Sequence, residues 1–373
     1  MDKETLYSEL ASMKEEMKPG ERMMGYVMGQ EVDCQPYSFL APDDALANIW
    51  GYTRNQVLGD FDLKCELVKR RKEEYGIDTI SMTMGLRGIG EALGSTIVYP
   101  ENSVDYVSHH VLTDYDMIEQ LEQIDVCKTP KLIGMVEEAK RYQELFPDMV
   151  VSSDSSGPIS CAAAIRPIEH ILRDMRNNPE GLHRLLQLCV DKSLDWVRFF
   201  HKETGSRNIG MADPVTTTDI LGRKYFLEYS KPYLEKLING IEEITGSKPG
   251  VHICGTTKPI WGDLMDMGVK AFSIDNCESI AEAKEVMGQQ VFLSGNVSPV
   301  DVMRNGTIDD VINAVIKCLD DGSDNPCGHL LSTGCQIPIG TPKENFDAYV
   351  YAVRKYGQGA RIGCKPKGLE LVK

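Results

Sequence analysis

The sequence has no apolar run long enough to cross a bilayer, which excludes a helical membrane span. Its start, Met1-Asp2-Lys3-Glu4-Thr5-Leu6-Tyr7, is charged and lacks the apolar core of a secretory leader. Positive charge is in deficit: 40 Lys and Arg against 56 Asp and Glu give a formal net charge of -16. That balance argues against nucleic acid, anionic membranes and polyanions as partners. There is no low-complexity stretch, no long linker and no solenoid-type repeat. A G-x-x-x-x-G-K-[ST] phosphate loop and a G-x-S-x-G nucleophile elbow are both missing. Gly85-Leu86-Arg87-Gly88-Ile89-Gly90 bears glycines but not the spacing of a dinucleotide fingerprint. The 11 cysteines show no paired spacing, and an odd count without an export signal points to free thiols and metal ligands. Together these absences describe a soluble, cytoplasmic protein.

What is present is ample material for a core: 373 residues, 42% hydrophobic. A chain of this length can be two domains, but α/β barrels of the same size are single units. Short apolar or β-branched runs recur at residues 35–41, 77–84, 149–155, 208–213, 250–254, 270–275, 290–295 and 329–333. Between most of them lie stretches with apolar residues at helical spacing, over 61–75, 179–201, 223–244, 256–267, 280–286, 307–319 and 343–356. Alternating strands and helices imply βαβ units and a parallel sheet. Eight such strands predict an α/β fold, a (β/α)8 TIM barrel spanning 1–373 as one domain. Residues 1–30 are then an N-terminal helical extension, and residues 90–148 an insertion.

In such barrels the chemistry sits at the C-terminal ends of the strands. Asp213 closes the fourth run, His252 and Cys254 the fifth, Asp275 the sixth and Asn296 the seventh, and Cys335 follows the eighth. On a strand, positions i and i+2 share a face, so His252 and Cys254 can reach one ion. With Cys335 they make three His/Cys ligands and leave a position open, as catalytic rather than structural zinc sites do. Ordinary buried thiols and a core histidine are the alternative, and Asp213 and Asn296 have bland readings as turn and cap residues. His109-His110, among Ser and Asp, reads as solvated rather than ligating.

The stretches His252-Ile253-Cys254-Gly255, Ser294-Gly295-Asn296-Val297-Ser298-Pro299 and Thr333-Gly334-Cys335-Gln336-Ile337-Pro338 resemble the uroporphyrinogen decarboxylase superfamily. So do Thr341-Pro342-Lys343-Glu344-Asn345, Met211-Ala212-Asp213-Pro214 and Ser156-Gly157-Pro158. The resemblance is to its corrinoid-dependent methyltransferase branch and is strongest from about residue 207 onward. It implies a (β/α)8 barrel, a catalytic Zn2+ held by His252, Cys254 and Cys335, and an acidic fourth ligand at the position of Asp275. That position usually holds Glu. The branch that decarboxylates porphyrinogens carries an arginine-rich N-terminal loop and an acid ending the second strand. Here residues 20–29 hold one arginine, and the second run ends Ser81-Met82-Thr83-Met84.

The resemblance implies methyl transfer between a small molecule and the cobalt of a corrinoid (cobalamin). The acceptor would be a thiol such as coenzyme M, or the donor a methoxylated compound, as in O-demethylases. No D-x-H-x-x-G corrinoid-binding stretch is present, so the corrinoid is expected on a partner protein docked over the barrel mouth, and a homodimer is left open. Asp275, Asp213 and Asn296 are the expected catalytic residues. Gly85 and Gly88, with Gly90, are expected to let the corrinoid approach closely or a lid move, unless they serve only the turn. Met82, Met84, Met211 and Tyr37 either line a pocket for an aromatic donor or fill core gaps. A porphyrinogen decarboxylase and a non-catalytic zinc-binding module are the competing readings.

Overall fold

The computed structural model describes residues 1–13, 16–101 and 103–372. The chain forms two compact units, one of residues 79–270 and one of residues 1–78 with 271–373. Seven parallel strands carry the fold: β1 (Thr79–Met82), β2 (Val150–Ser156), β3 (Ile209–Ala212), β4 (Gly250–His252), β5 (Ala271–Ser273), β6 (Phe292–Val297) and β7 (His329–Thr333). In the unit of residues 79–270 they hydrogen-bond in the order β1–β2–β3–β4, and in the other unit in the order β5–β6–β7. Parallel neighbours need long crossovers, and helices supply most of them, so the chain has the (β/α)8 barrel fold.

In the unit of residues 79–270 the crossovers are set locally. The helix Pro179–Thr204 starts with Pro179 in its first turn and the Asn178 side chain accepting from Gly181 N–H, and it stops at Gly205, where φ is 71°. Leu182, Leu185, Leu186, Cys189, Trp196 and Phe200 recur at helical spacing and are buried. One helix expected over residues 223–244 is instead broken. Gly222 turns out of helical geometry at φ 65° within Thr218–Tyr225, and Phe226–Ser230 forms a π turn before Lys231–Thr245. Pro232 cannot donate to the carbonyl four residues back, which accounts for the wide turn. Residues 90–148 hold a hairpin (Thr96–Val98 with Tyr106–His109) and the helix Pro130–Leu145.

In the other unit, the helices Phe61–Tyr75 and Lys343–Tyr356 match the expected boundaries. Helices Lys3–Ser12 and Pro19–Val27 form its start. The first of the eight expected strands, at residues 35–41, does not form. It reduces to one parallel bridge between Tyr37 and Leu331, with Ser38 N–H donating to Leu331 C=O at 2.9 Å. Pro36 has no N–H to continue the ladder, and Leu40 N–H turns to the Thr333 hydroxyl at 3.1 Å. A strand instead forms earlier, Val32–Cys34, paired antiparallel with Gln358–Ala360. No helix among the described residues is long and apolar enough to cross a membrane.

Candidate metal centre

His252 ends β4, beside Ala212 of β3 in the parallel register. Two residues on, Cys254 returns to the same side, and His252 Nε2 lies 3.0 Å from Cys254 Sγ. Both side chains are half-buried. The chain then turns at Gly255, where φ is +73°, a conformation that favours glycine. The turn is pinned from the start of helix Thr218–Tyr225: Thr256 N–H donates to Asp219 Oδ2 at 2.8 Å, and the Thr218 hydroxyl to Thr256 C=O at 2.6 Å. The Thr256 N–H holds the Asp219 carboxyl below its ordinary range. Asp219 therefore fixes the backbone that follows the H-x-C pair.

Cys335, half-buried, follows β7 in the other unit. Gly334 N–H donates to Val297 C=O at 2.9 Å. A Cβ on Gly334 would lie 2.3 Å from Asn276 N, so the Thr333–Cys335 turn rests directly on the backbone after β5. Asp275 begins that segment, half-buried, with Oδ1 accepting from Cys277 N–H at 2.9 Å. Asn296, in β6, spends its side-chain amide on the same segment: Nδ2 donates to Asp275 C=O at 3.1 Å and to Glu278 C=O at 2.8 Å. Its backbone N–H donates to Cys318 Sγ at 3.1 Å, and burial pushes the Cys318 thiol up to about 12.

His252 Nε2 and Cys254 Sγ, 3.0 Å apart, offer two His/Cys ligands in one unit, and Cys335 offers a thiol after a strand end of the other. Ligands at tetrahedral zinc, with bonds of 2.0–2.3 Å, stand about 3.5 Å apart, so the separation of His252 and Cys254 fits one ion. Two thiolates and an imidazole suit zinc, and three protein ligands leave room for a fourth.

Other expected residues take supporting places. Asp213 is fully buried and turned into the helix layer, accepting from Ser160 N–H at 2.8 Å, the Ser160 hydroxyl at 2.6 Å and Ile159 N–H at 3.3 Å. It thus caps helix Pro158–Ile165 from outside the helix. Burial pushes its carboxyl up to about 6 against these hydrogen bonds. Gly85 has φ +65°, and a Cβ on Gly88 would strike Met84 at 2.6 Å. Both glycines are accounted for by the turn and by packing. His109 is exposed.

The methionines are a correction to the pocket reading. Strand alternation sets Met82 and Met211 on the face opposite Ser81 and Ala212, hence opposite His252. Both are buried, with Met84 and Tyr37, and Met82 and Met211 fill the layer between sheet and helices. Sequence reasoning missed Asp154. It lies in β2, on the His252 face, and accepts from the Thr83 hydroxyl and, at 3.2 Å, from Met84 N–H. A carboxylate is thereby brought to the end of β1, which has none of its own. The available signal was its place in the strand run 149–155, between serines.

Residues 18–356 match the family described as Uroporphyrinogen decarboxylase (URO-D). The chain is 24% identical over 356 residues to a methylated-thiol--coenzyme M methyltransferase of Methanosarcina mazei, covering 92% of this chain and 91% of that one. It is 24% identical over 298 residues to a methylcobamide:CoM methyltransferase of Methanosarcina barkeri, covering 79% and 85%. A solved structure of a methyltransferase from Methanosarcina mazei superposes with TM-score 0.74 at 23% identity, over 90% of this chain and 98% of that chain.

Proposed function

The chain belongs to the uroporphyrinogen decarboxylase family, and on that footing we propose that it is a zinc-dependent methyltransferase. It moves a methyl group between a small molecule and the cobalt of a corrinoid carried by a separate protein. The observation that carries the reading is the His252–Cys254 pair at the end of β4, Nε2 and Sγ 3.0 Å apart, with Cys335 as the third ligand. Relatives named for methyl transfer from methylcobamide and methylated thiols support it.

Zinc held by these three residues would deprotonate a bound thiol and keep it nucleophilic near neutral pH, where a free thiol is mostly protonated. The chain's own residues set the geometry. β4 presents two ligands on one face, Asp219 holds the turn behind them, and the Gly334 contact sets the third. Asn296 holds the segment that carries Asp275. One Asp275 oxygen already accepts from Cys277 N–H, so a role for Asp275 as a fourth ligand before substrate arrives would use a single oxygen or a bridging water.

Decarboxylation of a porphyrinogen is disfavoured by Arg22, the one arginine of residues 20–29. It is buried, with Nε 2.7 Å from Asp33 Oδ1 and Nη2 donating to Asp33 and to Met17 C=O. That guanidinium serves the fold and cannot grip a ring of carboxylates. The test mixes zinc-loaded protein with methyl-Co(III) corrinoid and thiols, and with Co(I) corrinoid and methyl ethers, following the cobalt absorbance. Cobalt that never changes methylation state, while a porphyrinogen loses carboxyl groups, would overturn the proposal in favour of decarboxylation.

A further inference from the structure

The sheet face that bears His252 is polar and hollow in the unit of residues 79–270. The registers Ser81↔Ser152, Asp154↔Gly210, Gly210↔Gly250 and Ala212↔His252 put these residues on one side of β1 to β4. Barrels of this class usually fill that side with Val, Ile and Leu. Here two adjacent strands carry glycine. A Cβ on Gly210 would meet nothing closer than 4.0 Å, so crowding does not require the glycine; its effect is to leave room. A cavity of about 340 Å³ lies toward the N-terminal ends of β2 to β4, lined by Ser81, Ser152, Asp154, Gly210 and Gly250 with Arg207, Asn208, Ser247 and Lys248 of the segments entering β3 and β4; Asp154 stands between it and His252. Among the described residues of these four strands, that face carries no lysine or arginine and one carboxylate, Asp154.

Asp154 is held in place by the Thr83 hydroxyl and Met84 N–H. Burial pushes its carboxyl up from the ordinary range, and those two hydrogen bonds oppose the shift. Arg207 and Lys248 line the end of the cavity farther from His252, four residues or more along the chain from the level of His252 at its strand end, and each holds a backbone carbonyl. Arg207 Nε donates to Thr245 C=O at 2.7 Å, and Lys248 Nζ donates to Gly268 C=O at 3.1 Å and pairs with Glu242 at 3.6 Å.

We infer that the small molecule whose methyl group this centre handles is hydrophilic, with a hydroxyl or ammonium group rather than an anion at its non-reacting end, and that Asp154 reads that end. The inference rests on the zinc–thiolate reading: sulfur at His252 and Cys254, tail toward Asp154. Asp154 sits two strands from His252 and two residues lower, about 10 Å across and about 7 Å along the strands. Both side chains lie on one face of the sheet, so the tail of a short metal-bound thiol points toward the carboxylate. A hydroxyl or ammonium donates to the carboxylate, whereas an anionic tail meets like charge in a partly desolvated cavity.

Three thiols that differ only at the tail decide the matter: 2-aminoethanethiol, 2-mercaptoethanol and 2-mercaptoethanesulfonate. Binding is read on the cobalt(II)-substituted protein from the thiolate-to-metal charge-transfer band, and kcat/KM from methyl transfer. The amine and the alcohol should bind at least about tenfold more tightly than the sulfonate. Asp154→Asn should erase most of that spread while leaving the band shape unchanged. If the variant does not fold, the wild-type series decides alone. A sulfonate that binds as well as or better than the others, or an Asp154→Asn variant that shifts all three equally, overturns the inference and points to Arg207 and Lys248. No charge-transfer band with any thiol would instead sink the zinc–thiolate reading, and the inference with it; an inverted order with a clear band sinks the inference alone.

Discussion

Gly334→Ala tests whether Cys335 is a ligand without touching a ligand. The added Cβ would lie 2.3 Å from Asn276 N and 2.9 Å from Asn276 Cα, both backbone atoms, where real Cβ contacts stay above 3.0 Å. The two segments must therefore part by at least about 0.7 Å, whereas metal–ligand distances tolerate about 0.2 Å. Neither side yields cheaply. Moving the turn strains the Gly334 N–H bond to Val297 at 2.9 Å, and moving the other segment strains both Asn296 amide bonds. Overpacking of this kind costs roughly 1–3 kcal/mol, which a barrel of this size should survive. The expected phenotype is a folded protein whose zinc affinity falls by about 10- to 100-fold, as when supporting contacts of a metal site are lost. Chelator competition followed by elemental analysis measures the affinity, and circular dichroism checks the fold. A folded variant that keeps wild-type zinc affinity and activity would refute Cys335 as a ligand.

Cys254→Ser should lose zinc and nearly all methyl transfer yet keep its far-ultraviolet spectrum, because a core of this size does not depend on one ion; an active variant would remove Cys254 from the site. Asn296→Ala deletes two hydrogen bonds to the segment holding Asp275, worth about 1 kcal/mol each. It should weaken zinc binding more than it lowers the unfolding midpoint, and equal losses in both would reduce Asn296 to a purely structural residue. His329 gives a pH signature. Its Nε2–H donates to Gly295 C=O at 2.8 Å, and burial holds its pKa down from 6.5 to about 4. The folded state needs the neutral ring, so this group's stabilisation is complete above pH 6.5 and declines as pH falls toward 4. The loss reaches about 3 kcal/mol. Denaturant titrations across that window should show a steeper decline for wild type than for His329→Gln, and parallel curves would contradict the assignment.

The candidate ligand pair stands out in the sequence because its signals are local. The two-residue spacing of His252 and Cys254 is a strand period, and a polar residue ending a short apolar run marks a strand's C-terminal end. Helices such as Phe61–Tyr75 carry their own stop and start: Asp60 caps one end, and Gly76, at φ 62°, closes the other. The misreadings involve features that periodicity does not weigh. Residues 35–41 have the apolar character of a strand, but Pro36 removes a donor from the ladder. The pattern over residues 223–244 continues across Pro232, though the backbone hydrogen bonds do not. The positioning work of Asn296 and Asp219 depends on partners 18 and 37 residues away in sequence, and no single-strand pattern encodes such pairings.

The harder loss was parity between strands. Alternation within β3 says that Met211 and Ala212 face opposite ways, but not which of them shares a side with His252. That requires the register Ala212↔His252, an inter-strand fact. Without it, Met82 and Met211 look as eligible for the substrate as anything near a strand end, and Asp154 looks like one more polar residue in a serine-rich run. With it, the methionines go to the helix layer, and Asp154 comes onto the same face as His252. A one-residue slip would exchange the two sets entirely. The expected substrate would then change from an apolar aromatic ether to a small hydrophilic thiol, although the three metal ligands would read the same.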